Sequence, residues 1–356
     1  MTRISIQGIG VVGGFGCGIQ ALRAAALEGS CRPGSLDVPT GQGLVSIPAF
    51  RADSRPLEEL MAPRLLRRVD ALSRMGLLAA RLALTDAGLA PAAHDGLGVI
   101  VASGFGATAT TYALLDSMIQ DGDPCTSPTH FAGSLHCSAT GLIAMTLGAT
   151  GPNLTVSQFG LSVASALLTA RQWLLDGRAT RVLFGAMDEL SDLTGYDWFR
   201  RHDPAVTGPM RPLSGVEASA VPGEGAAFFL LERGESSRPG YCTLESVVTG
   251  SGCQPKPAQE LLILGADGRR DADYLAASAG AQVACYTPLY GCMPAGPAFD
   301  LAMAALILKE GQVFATPSDP GGFRVAPAGP LEAERVSCLA LTEAEEFGRI
   351  DLQRPR

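Results

Sequence analysis

The chain has 356 residues, 47% of them hydrophobic and 17% charged. That is enough apolar material for one large or two ordinary domains around a buried core, which excludes disordered and fibrous classes. Net charge is −8, from 27 Lys+Arg against 35 Asp+Glu, so no overall field draws in nucleic acid or an anionic membrane, and neither is expected as a partner.

In chain order, residues 1–16 run from one Arg into alternating strand-like residues and then glycines, with no apolar leader or cleavage site. No stretch reaches the roughly 18–20 apolar residues of a membrane span, and a soluble, cytoplasmic protein is expected. The 43 glycines are about 12% of the chain against a usual share of about 7%, so close backbone packing is expected. Short apolar runs predict strands at Ile4–Ile9, Leu97–Ala102, Asn153–Ser157, Arg181–Gly185, Ala226–Leu231, Gln282–Tyr286 and Val336–Leu341. Helices are predicted at Val69–Ala87, Ser162–Asp176 and Pro297–Glu310; in the first, Leu72, Met75, Leu78, Ala79 and Leu82 share one face and Gly88 supplies the stop. This alternation predicts an α/β layered fold.

Ser162–Gly177 and Pro297–Gly311 resemble each other: each follows a strand and a loop, packs small residues first, and ends on a bulky apolar patch closed by Gly. A duplicated α/β half gives that pattern, and so do two unrelated Ala-rich helices. The polar, Ser/Gly/Pro-rich segment Glu232–Tyr241 is the best internal boundary, with halves 1–235 and 236–356. Nine cysteines at 17, 31, 125, 137, 242, 253, 285, 292 and 338 include no C-x-x-C pair. No disulfide framework, metal site or cofactor is expected. Gly8-Ile-Gly-Val-Val-Gly13 fits G-x-G-x-x-G after a strand, but Asp37, the acidic ribose partner it would need, lies in a Pro/Gly-rich loop.

Several local patterns occur in register: Ile6-Gln-Gly-Ile-Gly-Val-Val12, Asp70-Ala-Leu-Ser-Arg74, Asp86-Ala-Gly-Leu89, Gly151-Pro-Asn153, Gly223-Glu-Gly-Ala226 and Leu308-Lys-Glu-Gly311. In that order the chain resembles the β-ketoacyl-carrier-protein synthases, nearly end to end, with a shortened stretch between Cys253 and Leu261. The resemblance implies a thiolase-like α-β-α-β-α layered fold of two similar halves with mixed five-stranded sheets, the first half carrying helical insertions.

It also implies where catalysis would sit. A condensing enzyme needs a thiolate at a helix N-terminus, where the dipole and backbone N–H groups favour the anion, and two histidines to stabilise enolate and oxyanion. The family's nucleophile falls on Gly160, which has no side chain to acylate. Its first histidine falls on Gly265, at the head of the loop closing at Asp273. Its K-S-x-x-G-H segment becomes Thr287–Cys292, so the Lys and the second His are replaced by Thr287 and Cys292. Its glycine-rich acyl-site loop corresponds to Leu341–Gly348, where Phe347 and Gly348 persist. The four histidines present, His94, His130, His136 and His202, fall outside these loops and read as solvated or structural.

The resemblance therefore implies a catalytically degenerate, chain-length-factor-like subunit. It would dimerise with an active ketosynthase in fatty-acid, polyketide or aryl-polyene synthesis, through the strand at Asn153–Ser157, and would shape the acyl tunnel with Gln158, Phe159, Cys292 and Phe347. For Phe159 the alternative is plain core packing. Whether the chain is an enzyme stays open: a second reading makes Cys292 a relocated nucleophile of a condensing enzyme, and a third makes the chain a homodimeric scaffold binding acyl chains or carrier protein. Arg64, Arg67, Arg68 and Arg74 align with a family segment that docks acidic acyl carrier protein, against the alternative of a solvated helix face.

Overall fold

A computed structural model describes residues 3–90, 94–202, 210–214, 220–234, 239–252, 261–278, 280–317 and 321–355. Ten strands form the framework: β1 Ile4–Gly13, β2 Gly98–Ala102, β3 Asn153–Val156, β4 Arg181–Asp188, β5 Gly225–Arg233, β6 Cys242–Ser251, β7 Leu261–Leu264, β8 Gln282–Ala284, β9 Arg335–Leu341 and β10 Glu346–Gln353. The helices that matter below are α1 Ala71–Asp86, α2 Thr108–Asp121, α3 Pro128–Ser134, α4 Ser138–Leu147, α5 Ser162–Leu175, α6 Asp192–Arg201, α7 Asp271–Ser278 and α8 Gly296–Glu310. All seven predicted strands and three predicted helices are present, with ends shifted by a few residues. Sequence reading missed β6, β7 and β10 and the helices α2, α3, α4, α6 and α7.

The strands lie in the order β8-β7-β9-β10-β6-β1-β5-β4-β2-β3. Read outward from the β1–β6 junction, β1-β5-β4-β2-β3 and β6-β10-β9-β7-β8 are the same arrangement: two antiparallel pairings followed by two parallel ones. Only Ser5↔Thr243 and Ile6↔Cys242 join the two five-stranded sets. The similar stretches at 162–177 and 297–311 hold equivalent places, each helix linking the third strand of its set to the fourth. That shared topology carries the duplication beyond two Ala-rich helices. We propose 235/236 as the junction of the halves; residues 235–238 lie outside the described residues, as does 253–260, the core of the segment expected to be short.

Period-two alternation builds the layers. On β4, Val182, Phe184 and Ala186 face the central helices α5 and α8, while Leu183 and Met187 face α1 and α4. On the second set, Leu261, Ile263 and Cys338 face the centre, while Leu262, Leu264 and Phe347 face Tyr274 of α7. The order is thus helix, sheet, helix, sheet, helix. Twelve of the fifteen residues of α8 are buried, because a helix between two sheets has no solvent face.

The motifs that carried the resemblance turn out to hold this frame. A Cβ on Gly8 would lie 2.3 Å from Ala83 O, and one on Gly10 2.0 Å from Ala79 O, so glycine lets α1 lie directly on β1. These glycines are mid-strand and covered by a helix backbone, with no loop to cradle a dinucleotide phosphate. Asp86 Oδ2 accepts from Ile9 N at 2.9 Å beside the β1 register shift. Asp70 caps α1, its Oδ1 accepting from Ser73 N at 2.8 Å. Buried Glu224 accepts from Ala52 N (3.1 Å) and Leu190 N (2.9 Å) and pairs with Arg51 (2.8 Å).

Candidate functional site

β3 delivers the chain into Gln158 and a single 3-10 turn, Phe159–Leu161, that opens α5. Ser162 Oγ accepts from Gln158 N at 2.7 Å and fixes the turn, and Phe159 takes φ +45°, a sparsely populated setting for a non-glycine residue. Gly160 sits at the head of α5, where a nucleophile would stand. A side chain there would be crowded: a Cβ would meet Thr342 Cγ2 at 3.0 Å, so Thr342 would have to give by a few tenths of an ångström. Gln158 and Phe159 turn outward. Gln158 Oε1 accepts from Ser165 Oγ at 2.7 Å, and Phe159, 67% exposed, has only an edge-on ring partner in Phe105, itself 42% exposed. Phe159 is therefore not core packing in the isolated chain.

Behind Gly160 lies a small cavity lined by Ala164, Asp300, Cys338, Leu339 and Gly348 among others. Asp300 is the only ionisable residue of α8 inside its apolar run, and it is buried. Its Oδ1 accepts from the Tyr290 hydroxyl. Its Oδ2 is 3.0 Å from where a Cβ on Gly265 would be, so the first histidine position faces a carboxyl. Burial pushes Asp300 up to about 7, the Tyr290 bond opposing only in part. Tyr274 Oη donates to Gly265 O at 2.9 Å and accepts from Leu341 N at 3.0 Å. Gly160 and Asp300 thus line one small cavity with Gly265 beside Asp300, and its one cysteine, Cys338, is a thiol that burial pushes well above its ordinary value.

Cys292 is buried, and its Sγ donates to Asp267 Oδ2 at 3.4 Å. Burial, then the Asp267 charge, push the thiol well above its ordinary value, and Arg269 opposes only in part. A buried thiol beside a carboxylate does not favour the thiolate that a reactive cysteine needs, which weighs against Cys292 as a relocated nucleophile. Thr287, in place of the family lysine, is also buried. Phe347 is a correction to the sequence reading: strand alternation places it in the outer cluster against Tyr274, while its neighbour Gly348 faces Ala164 and the cavity. It does not line the chamber.

Of the histidines, none lines the cavity, and His136 packs against Gly106. The His202 ring lies 4.1 Å from that of Trp198, and burial followed by the Arg269 charge push it below its ordinary value. Among the docking arginines, Arg64, Arg67 and Arg68 are exposed. Arg74 is committed inward, donating to Leu66 O (2.8 Å) and Val69 O (3.1 Å) and pairing with Glu58 (3.3 Å). No group of residues that could hold a metal ion occurs among the described residues, and none of their helices is long and apolar enough to cross a membrane.

A further feature was not foreseen. β3 ends the sheet and pairs only with β2. On β3, the turn that follows it and the helices α4, α3 and α2, which pack in series away from it, Leu154, Phe159, Met145, Phe131, Leu135, Tyr112, Leu115 and Ile119 are each at least 40% exposed, Ile119 reaching 83%. α2 buries only Leu114 of its fourteen residues, so its apolar side faces solvent. Soluble monomers rarely show so many large apolar side chains around an unpaired edge. Spacing at 112, 115 and 119 would have signalled it had a helix been predicted there.

Residues 39–237 match the profile of the beta-ketoacyl synthase N-terminal domain. A polyketide beta-ketoacyl synthase 1 from Streptomyces cyaneus is 29% identical over 266 residues, covering 69% of this chain and 63% of that protein. The tetracenomycin polyketide synthase ketoacyl synthase alpha subunit of Streptomyces glaucescens is 28% identical over 253 residues, covering 66% and 59%. The chain thus spans under two thirds of the length of these relatives. Among solved structures, the ishigamide ketosynthase/chain length factor superposes with a TM-score of 0.83 at 19% identity over 100% of both chains. A ketosynthase in complex with its chain length factor from Xenorhabdus doucetiae gives 0.79 at 15% identity, over 99% of this chain and 98% of that one. Likeness at these identities establishes the thiolase-like fold.

Proposed function

We propose that this chain, which belongs to the β-ketoacyl synthase family, is a non-condensing ketosynthase subunit of chain-length-factor type. It pairs with an active β-ketoacyl synthase in polyketide, fatty-acid or aryl-polyene biosynthesis and shapes the acyl tunnel of that partner. The observation that carries this reading is the uncovered apolar face flanking β3, on a chain whose nucleophile position is a glycine. Such a face needs a protein cover. Gly160, Gly265 and Cys292 offer no thiolate or imidazole to a thioester, so what the face supports is assembly. Phe159 and Phe105, exposed on that same face, are the residues placed to reach a partner's tunnel.

Co-expression with an active β-ketoacyl synthase encoded beside it, followed by size-exclusion chromatography and product analysis, tests this. A one-to-one complex whose products change in length when this chain is omitted is expected. A stable homodimer that leaves the products unchanged favours the scaffold reading instead.

Carrier docking is the second part of the proposal, resting on exposed Arg64, Arg67 and Arg68. Guanidinium groups suit phosphate and carboxylates. Arg67→Glu with Arg68→Glu is expected to weaken capture of acidic acyl carrier protein by about tenfold at low salt and less at high salt. Unchanged affinity removes Arg67 and Arg68 from any such site.

A further inference from the structure

The strand and loop that carry Gly265 continue into Asp267 and Arg269, and these two meet side chains from three other segments. Arg269 pairs with Asp267 (Nε to Oδ2, 2.6 Å) and with Glu343 (3.3 Å), and its guanidinium stacks over the Trp198 ring of α6 at 5.4 Å. Asp267 in turn accepts from Cys292. Exposure falls along this chain of contacts: the Glu343 side chain is 72% exposed, Arg269 31% and Asp267 15%, and Cys292 ends the series at 8%. The four residues thus form a column from solvent to the position of the family's second histidine. Trp198, from the first half of the chain, walls one side.

We infer that the column Glu343–Arg269–Asp267–Cys292 is a latch that closes the way from solvent to the position of the family's second histidine against thioester arms. It rests on the reading above, since only a chain that does no chemistry can fill its access route with ion pairs. The chemistry of the seal is specific. An extended, mostly neutral thioester arm would have to displace a guanidinium that is paired twice and stacked on indole, leaving Asp267, whose side chain is only 15% exposed, without its cation, and a partly desolvated unpaired charge is costly. Acyl chains carried by the complex are thereby left to the partner's chamber.

The test reads the access of Cys292 to N-ethylmaleimide at neutral pH, by mass spectrometry of the intact chain and its peptides. In the wild type Cys292 is expected to label at least a hundredfold more slowly than exposed Cys137. Arg269→Ala is expected to speed Cys292 at least tenfold while Cys285 and Cys242, both buried, stay unlabelled. Chemistry alone predicts the opposite sign: Arg269 holds the Cys292 thiol down, so its removal raises the thiol further and slows alkylation. A rise therefore reports opening. Glu343→Ala alters an exposed residue, keeps the fold, and is expected to give a smaller selective rise of about threefold. Fast labelling in the wild type overturns the latch, as does an unchanged Cys292 rate in both variants. A rise shared by Cys285 and Cys242 also overturns it, since that reports loosening of the whole fold. None of these outcomes depends on whether a ketosynthase partner binds, so failure of the latch and failure of the subunit reading are separate results.

Discussion

Leu154→Arg is expected to leave this chain folded and to strip a co-expressed β-ketoacyl synthase from it. Leu154 is 40% exposed on β3, whose outer edge has no strand partner among the described residues. The mutation removes no core contact, and surface changes of this kind cost the fold within about 0.5 kcal/mol. At an interface the same change buries a guanidinium without a partner. Losses of 2–4 kcal/mol are typical at the centre of an interface, about 30- to 1,000-fold in Kd. Ile119→Arg, at 83% exposure on α2, tests the outer part of the same face and is expected to weaken the complex less. Leu44→Arg is the control: Leu44 is 73% exposed, but sits on the hairpin Gly34–Thr40/Gly43–Ala49 away from β3. Sedimentation velocity distinguishes the outcomes. A complex that survives both Leu154→Arg and Ile119→Arg would place the partner elsewhere.

How far the sequence foretold this arrangement depended on what kind of signal each residue carries. The glycines of β1 and the caps of α1 were legible because a close approach or an orphaned amide allows few residue types. The strands of the first set were legible as apolar runs. Those of the second set were less so: β10 alternates Glu346, Phe347, Gly348, Arg349, Ile350 and Asp351, and its first three residues sit in a region that family likeness marked as a loop. The inert chemistry at Gly160, Gly265 and Cys292 was readable by position. What replaced it was not. Thr342 crowds Gly160, and Asp300 faces Gly265, from places 182 and 35 residues away in the chain, so only folding reveals what stands beside each. Asp300 did carry one local signal, a single acid inside the apolar run of α8, and burial of such a group without a cation is rare enough to mark it. The cysteine reading shows the reverse case. Position made Cys292 a candidate nucleophile, and only the Asp267 contact shows that its proton is held in place.

Stability of the folded chain is expected to fall as pH rises from 5 to 8, with Asp300 a main cause. The groups that feel its charge are Tyr274, Cys285, Tyr290 and Cys338, all of them acids, so ionisation finds no compensating cation among them. The folded state keeps a proton up to about pH 7 that the unfolded chain gives up near pH 4. The contribution is therefore complete below about pH 4 and is lost as pH climbs through about 7, a swing on the order of 3–4 kcal/mol. Buried Asp188, pushed to about 6, and Glu189, pushed to about 7, carry the same sign, burial being the first cause in each. Asp300→Asn keeps an oxygen to accept from Tyr290 and cannot ionise. Its melting temperature is expected to match the wild type near pH 4 and to exceed it by several degrees at pH 8. The wild-type slope would then be steeper than that of the variant, with the remainder belonging to Asp188 and Glu189. Parallel melting curves across pH 5–8 would mean that Asp300 stays in one protonation state throughout. In that case the chamber behind Gly160 must hold its charge by a contact other than the Tyr290 hydroxyl.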